Sequence, residues 1–110
     1  MTFLYLSSDQ MGNGDAELGR KLLVAFLKQL YASEAPVDVI GCVNSGVFLT
    51  TEAGPGAEIL AAFAERGTRV ASCGTCLDHF GRREQLRLGE VGTMAQTVAI
   101  LTTAERVIRP

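Results

Sequence analysis

Two cysteines separated by two residues, Cys73 and Cys76, are the side chains of this 110-residue sequence best suited to covalent chemistry. They follow a strand-like run, 68–72, and precede a helix-like run that begins near Leu77. At the N-terminus of a helix, unpaired backbone N–H groups and the helix dipole favour an anion, which lowers the pKa of a thiol. Because the thiolate is the nucleophilic form of cysteine, the pattern predicts a reactive thiol in this turn.

Cys76 is the better candidate nucleophile because it lies nearer the predicted helix. Cys73 is close enough in sequence to form a disulfide with Cys76 or to resolve a persulfide carried on it. His79 is one turn beyond Cys76 on the same helix face and would favour the thiolate. The alternative is that both thiols only pack in a tight turn and that His79 is a solvated surface residue.

Two other chemistries suit a pair of cysteines at this spacing. Cys73, Cys76 and His79, with Cys42 from a neighbouring strand, would supply zinc ligands, but a single such pair without a second ligand pair is a weak signal. Cys42 also lies inside an apolar strand, where cysteine usually packs as a small hydrophobic residue. Thioredoxin-type disulfide exchange is the other alternative, but that fold needs a cis-proline loop, and Pro110 is the only proline after Cys76.

The elements that position these cysteines alternate between strand and helix patterns. Strands are predicted at Phe3–Ser7, Val37–Val43, Arg69–Ser72 and Arg106–Arg109, and helices at Asp15–Ser33, Pro55–Arg66, Leu77–Arg87 and Thr93–Thr103. Within the third helix, Gly81 is a candidate break. Alternation of this kind predicts an α/β fold, a mostly parallel sheet with helices on both faces. Within the first helix, one apolar face is predicted, formed by Leu18, Leu22, Leu23, Phe26, Leu27 and Leu30.

Three loops rich in Gly, Ser, Asn and Thr leave the carboxyl ends of the predicted strands: 7–14, 44–46 and 73–76. Ligands of parallel sheets bind at that edge, and exposed backbone N–H groups there suit a small anion. Turns that only cap helices are the alternative, and the glycines at 12 and 14 do not complete a dinucleotide fingerprint. The candidate ligand-binding residues are Asn13, Gly14, Asn44, Ser45, Gly46, Gly74 and Thr75.

The composition narrows the class of protein. Residues 1–110 suit one domain, and the net charge of −2 without a basic run argues against nucleic acid or an anionic membrane as partner. The 47% hydrophobic share suggests that a partner subunit covers part of the surface. The N-terminus lacks the basic region of a signal peptide and the chain has an odd number of cysteines, so we expect a cytoplasmic protein without a disulfide framework.

Four segments resemble the DsrE-like domain of YedF-type selenium metabolism proteins. Residues 7–19 (SSDQMGNGDAELG) are similar to the opening of that domain, and 44–47 (NSGV), 50–52 (TTE) and 72–78 (SCGTCLD) follow in the same order. The resemblance implies a three-layer α/β/α sandwich with four to five strands, in the DsrE/DsrF sulfur-relay superfamily. It also implies a homo-oligomer, a trimer or hexamer, and a persulfide-carrying cysteine at the turn after the third strand, which corresponds to Cys76.

One feature of YedF-type proteins has no counterpart in this sequence, the SirA/TusA-like domain with its Cys-Pro motif. We therefore expect a sulfur-relay, sulfurtransferase-like protein that works with a separate TusA/SirA-like sulfur or selenium carrier, with Cys76 and Cys73 as catalytic residues. The alternative is a non-catalytic subunit of the same fold that binds such a carrier or a small ligand. No cofactor and no metal are expected.

Overall fold

Five strands form one sheet in the computed structural model, which describes residues 1–110. They are β1 (Thr2–Leu6), β2 (Val39–Cys42), β3 (Arg69–Cys73), β4 (Glu90–Gly92) and β5 (Arg106–Ile108). Their order across the sheet is β4-β3-β2-β1-β5, and every neighbouring pair is parallel. The predicted α/β class is confirmed, although the short edge strand β4 is not among the predicted strands.

Five helices connect these strands: α1 (Ala16–Ala32), α2 (Phe48–Thr51), α3 (Pro55–Glu65), α4 (Gly74–His79) and α5 (Met94–Thr103). Two short 3₁₀ turns, Asn44–Val47 and Arg83–Gln85, complete the connections. The Asp15 carboxylate accepts the Leu18 N–H at 2.8 Å and so caps α1. Thr93 and Gln96 form a reciprocal capping box at the start of α5, as the sequence predicts.

Helix α4 is shorter than predicted and begins earlier. It ends at His79 because Gly81 takes a left-handed conformation, with φ of 64°. The Arg82 N–H then bonds the Leu77 carbonyl at 2.8 Å, which closes a Schellman motif. The predicted start at Leu77 is therefore wrong, whereas the break expected at Gly81 is confirmed, and Cys76 lies inside the first turn of α4 rather than before it.

The main core lies between one face of the sheet and the helices α1 and α3, which pack against each other. It includes Leu4 and Ile40 from the strands, Leu23 from α1 and Leu60 from α3. The connection from β4 to β5 runs across the sheet in the opposite direction, and a right-handed crossover places α5 on the other face. The result is the expected three-layer α/β/α sandwich.

The apolar face predicted for α1 is only partly correct. Leu23 and Leu27 are buried, whereas Leu18 and Leu22 are 53% and 44% exposed. The helix also packs through Gly19, where a Cβ would lie 2.9 Å from the Gln10 side chain. The β1–α1 loop therefore covers one side of the first turn, and the contact rotates α1 so that Leu18 and Leu22 face away from the core.

Helix α5 is the least covered of the five α-helices. None of its residues is buried, and Met94, Val98 and Leu101 are exposed apolar side chains. The segment 93–104 contains no charged residue. The outer face of α5 is therefore an exposed, uncharged surface. None of the helices is long and apolar enough to cross a membrane.

Candidate functional site

The three cysteines lie near the carboxyl edge of the sheet, in different environments, and all are free thiols. Cys42 is the last residue of β2 and is fully enclosed in the core. Cys73 is the last residue of β3 and is only 8% exposed. Cys76 is the third residue of α4 and is half-buried, so it is the thiol of this edge that a second molecule reaches.

The sulfur of Cys76 accepts a hydrogen bond from the backbone of the neighbouring loop. The Asn44 N–H donates to Cys76 Sγ at 3.1 Å, across two adjacent strand ends. Asn44 has a left-handed φ of 51°, a conformation that asparagine tolerates better than most residues. This conformation begins the 3₁₀ turn directly after β2 and aims the amide at the sulfur.

The pKa of Cys76 is raised from its ordinary value, which contradicts the lowered pKa expected from the sequence. Partial burial of the thiol is the largest cause, and the neighbouring Cys73 thiol adds to it through hydrogen bonding and charge. The Asn44 N–H opposes both effects, but does not outweigh them. Helix α4 has only six residues, so its dipole is short.

Burial raises the pKa of a second cysteine, Cys42 in the core, more strongly. It raises the pKa of Cys42 from 9.0 to about 12, because the charged thiolate has no solvent or polar partner in the core. Cys42 is thus a packing residue, the alternative that the sequence left open. It does not take part in the chemistry of the Cys73–Cys76 turn.

His79 does not support the Cys76 thiolate as the sequence suggests. It is exposed, and its ring packs edge-on against Phe80 with the centroids 5.1 Å apart. It is not among the causes of the Cys76 pKa shift. The surface alternative for His79 is therefore the better description.

The loops after β1 and β2 meet at this edge of the sheet. Ser45 Oγ accepts the Asp9 N–H at 3.3 Å and lies 3.4 Å from Ser8 Oγ. Gly46 approaches β1 so closely that a Cβ there would lie 2.2 Å from the Leu6 carbonyl oxygen. Gly46 is therefore required for the two loops to meet, a packing role in addition to the ligand contact predicted for it.

The remaining predicted ligand-binding residues do not all lie near Cys76. Asn13 and Gly14 are exposed, and no hydrogen bond joins them to either of the other loops. Gly74 is buried, and a Cβ there would lie 3.0 Å from both Arg83 and Val91. Thr75 is exposed beside Cys76. The structure thus brings together Asn44, Ser45 and Gly46 with Cys76, but not Asn13 and Gly14.

Two arginines that the sequence analysis does not single out hold the Cys76 turn in place. Arg83 Nε and Nη2 bond the two oxygens of Asp78 at 2.7 and 3.0 Å, which lowers the pKa of that carboxyl. Arg82 Nη1 bonds Glu52 Oε2 at 2.7 Å, and its guanidinium lies 4.3 Å from the centre of the Phe48 ring. Sequence spacing does not reveal these ion pairs, since Arg82 and Glu52 are 30 residues apart.

A buried hydroxyl pair anchors the strand that carries Cys73. Thr50 Oγ1 and Ser72 Oγ lie 2.7 Å apart, and both side chains are fully buried. The pair ties α2 to β3 one residue before Cys73. Because a buried hydrogen bond is costly to leave half-made, it fixes the position of the strand end.

Two cavities are lined by residues near this edge, but by neither Cys73 nor Cys76. One of about 340 Å³ is lined by Leu77, Asp78, Gly81 and Arg83, at α4 and the turn after it. The other, of about 190 Å³, lies beside α1 and the α2–α3 turn, and its lining includes Asp9 and Arg20. No three His, Cys, Asp or Glu side chains converge in a way that suits a metal ion, so the zinc alternative has no geometric support. Cys76 itself is half-buried, so its thiol is partly accessible to a second molecule.

Two solved structures share this fold. The protein of unknown function MTH1491 from Methanobacterium thermoautotrophicum matches with a TM-score of 0.72 over 99% of this chain and 97% of its own, at 18% identity. The YchN protein from E. coli matches with a TM-score of 0.68 over 99% and 98%, also at 18% identity. No family model and no curated protein matches the sequence. These similarities establish the fold and do not extend to an activity.

Proposed function

We propose that this protein is a cytoplasmic sulfur-relay protein of the DsrE/DsrF-like family, which carries a persulfide on Cys76. The observation that carries the proposal is the Asn44 N–H on the sulfur of Cys76, the accessible thiol at the carboxyl edge of the sheet. A backbone donor aimed at a sulfur stabilises the thiolate that attacks in sulfur transfer. The sequence resemblance and the fold shared with YchN and MTH1491 support the family assignment.

The transfer that we propose begins with the Cys76 thiolate. It attacks the outer sulfur of a donor persulfide, the donor S–S bond breaks, and the donor leaves as a thiolate that takes up a proton. Cys76 then holds a persulfide. The thiolate of an acceptor attacks its outer sulfur in the same way, and Cys76 leaves as a thiolate. The raised pKa means that few Cys76 thiols are ionised at neutral pH, although each thiolate is then a stronger nucleophile.

The binding of sulfane sulfur to Cys76 and its transfer to an acceptor thiol can be followed in one experiment. A Cys73→Ser chain, exposed to cysteine persulfide and then desalted, should pass labelled sulfane sulfur to added glutathione. Cys42→Ala in the same background is the matched control and should behave identically, because Cys42 is enclosed in the core. Equal labelling of a Cys73→Ser/Cys76→Ser chain would contradict the proposal, since no thiol of the turn would then be needed.

The raised pKa of Cys76 favours a second candidate, a non-catalytic subunit that docks a separate TusA/SirA-like sulfur or selenium carrier. In that case Cys76 would neither accept sulfur nor contribute to carrier binding. Binding of a purified carrier would then be unchanged by Cys76→Ser, and no labelled sulfur would move to the chain. The relay proposal requires instead that the label moves and that Cys76→Ser stops it.

We further propose that the protein forms a homo-oligomer, a trimer or hexamer, through the outer face of α5. The exposed Met94 and Val98 and the absence of charge over 93–104 support this surface as a contact between copies. An uncharged helix can meet a second copy of itself without repulsion between like charges, unlike the charge-bearing α1.

A further inference from the structure

The two thiols of the Cys73–Cys76 turn differ in access. Cys73 is 8% exposed at the end of β3, whereas Cys76 is half-buried and faces the open edge. A donor or acceptor thiol on another molecule needs a straight approach to the sulfur that it attacks. Such a molecule can reach the sulfur of Cys76, but it cannot reach the sulfur of Cys73, which is covered. Any chemistry of Cys73 is therefore restricted to a partner inside the same turn.

The backbone places Cys76 in reach of Cys73. Cys73 is the residue directly before α4, with φ of −59° and ψ of 122°, and Cys76 is the third residue of the helix. Side chains at these two positions lie over the same first helical turn. At α5, where Thr93 and Gln96 occupy the equivalent positions, the side chain of each reaches the backbone N–H of the other at 3.0 and 3.2 Å. The contribution of Cys73 to the pKa shift of Cys76 is consistent with this proximity.

From these positions we infer that Cys73 resolves the Cys76 persulfide within the chain, so that the protein releases hydrogen sulfide and closes a Cys73–Cys76 disulfide. The inference rests on the proposed function, because it starts from a persulfide on Cys76. It adds a reductive step, in which the turn consumes sulfane sulfur as well as relaying it.

The step balances in atoms and electrons. The Cys73 thiolate attacks Cys76 Sγ, the bond between Sγ and the outer sulfur breaks, and HS⁻ leaves with the bonding pair. The proton of Cys73 passes to solvent or to the released sulfide. The sulfane sulfur is reduced to sulfide while the two cysteine thiols are oxidised to the disulfide. A further cycle needs an external dithiol reductant, such as dithiothreitol in vitro, to reopen the disulfide.

A single turnover without reductant tests the inference. Reduced wild-type protein and Cys73→Ser are mixed anaerobically with an equimolar amount of cysteine persulfide, and the free sulfide and the tryptic peptide 70–82 are measured. Both thiols lie in that peptide and Cys42 lies in another. Wild type should release sulfide equal to the chain concentration and yield a peptide lacking two hydrogens. Cys73→Ser should retain the added sulfur, with sulfide release lower by about tenfold or more.

Controls separate the inference from the function on which it rests. Cys42→Ala should behave as wild type, and Cys73→Ala replaces Cys73→Ser if the serine variant folds poorly. Sulfur retained on Cys76 of both wild type and the Cys73 variant, with equally low sulfide release, would overturn the inference alone. No sulfide from wild type together with no sulfur on the Cys73 variant would overturn both proposals.

A second measurement needs no persulfide and uses the wild type only. In a glutathione redox buffer, the inference predicts that the peptide 70–82 passes from dithiol to internal disulfide without a lasting glutathione adduct. A stable adduct on Cys76, with Cys73 still reduced, would show that the two sulfurs do not meet and would overturn the inference.

Discussion

At the scale of single residues, the sulfur of Cys76 is subject to opposing influences. Partial burial and the adjacent Cys73 raise the pKa of the thiol, and the Asn44 N–H lowers it. The net effect keeps most Cys76 protonated near neutral pH, so only a small fraction of the thiol is in the nucleophilic form. Cys76 is therefore a thiol whose reactivity at neutral pH is lowered rather than enhanced by its surroundings.

The pH dependence of Cys76 alkylation follows from that shift. The rate with iodoacetamide should rise about tenfold per pH unit and level off only above the ordinary thiol value of 9.0. Cys73→Ser removes one of the upward causes, so its inflection should lie lower than that of wild type. The measurement is the alkylated fraction of peptide 70–82 against pH. An inflection well below 9.0 in wild type would contradict the raised pKa.

The left-handed conformation of Asn44 makes a prediction of its own. Asn44→Gly keeps φ near 51° without strain, so the N–H should stay on Cys76 and the alkylation profile should not change. Asn44→Ala is disfavoured there, which should cost about 1 kcal/mol of stability and move the amide off the sulfur. The pKa of Cys76 should then rise further. Identical profiles for both variants would show that the contact does not affect the thiol.

The sequence predicts where the two cysteines lie in the fold, but not the electrostatics around them. The spacing of Cys73 and Cys76 after a strand places both thiols correctly at the sheet edge. It does not reveal the burial of Cys73 or the contact from Asn44, which is 32 residues away in sequence. The sign of the Cys76 pKa shift depends on those contacts, so no local pattern could have given it.

At the scale of elements, strand ends and loops fix the site. The 3₁₀ turn after β2 is held against β1 by the close approach of Gly46, and the Ser72–Thr50 pair holds the end of β3 against α2. Long helices with caps, such as α1 and α5, are readable from sequence because their signals are local and repeated. The short α2 and β4 are not, since tertiary contacts rather than periodicity define them.

Two glycines of the predicted ligand set should respond differently to alanine. Gly46→Ala places a methyl 2.2 Å from the Leu6 carbonyl, so it should destabilise the protein by about 1–3 kcal/mol and change the alkylation rate of Cys76. Gly14→Ala is the matched control, because nothing lies within 4 Å of its Cβ, and should change stability by about 0.5 kcal/mol or less. Urea unfolding measures both. Equal costs would refute the packing role of Gly46.

At the scale of the whole molecule, the two faces of the sheet are covered unequally. The helices α1 and α3 enclose a continuous core, whereas α5 contributes no buried residue and leaves Val98 51% exposed. A small domain with one thinly covered face gains stability when a second copy covers it. The sequence indicates a surplus of apolar residues, but only the fold shows that Met94, Val98 and Leu101 of this surplus are exposed on α5.

Association through α5 should therefore be sensitive to charge on that helix. Val98→Lys should shift the sedimentation profile toward the monomer, because it places a desolvated cation in the proposed contact. Gln29→Lys adds the same charge to an exposed position of α1 and should leave the profile unchanged. Analytical ultracentrifugation over a range of concentrations measures both. Indistinguishable profiles for Val98→Lys and wild type would place the contact elsewhere or exclude it.

The amount of sulfane sulfur bound per chain tests the central claim most directly. Cys73→Ser protein is incubated with radiolabelled cysteine persulfide, freed of small molecules under non-reducing conditions and counted, beside Cys73→Ser/Cys76→Ser protein treated identically. Label should be close to equimolar with the Cys73→Ser chain and should be released by dithiothreitol, and the double variant should carry none. Label equal on the two chains, or absent from both, would contradict the assignment of Cys76 as the sulfur carrier.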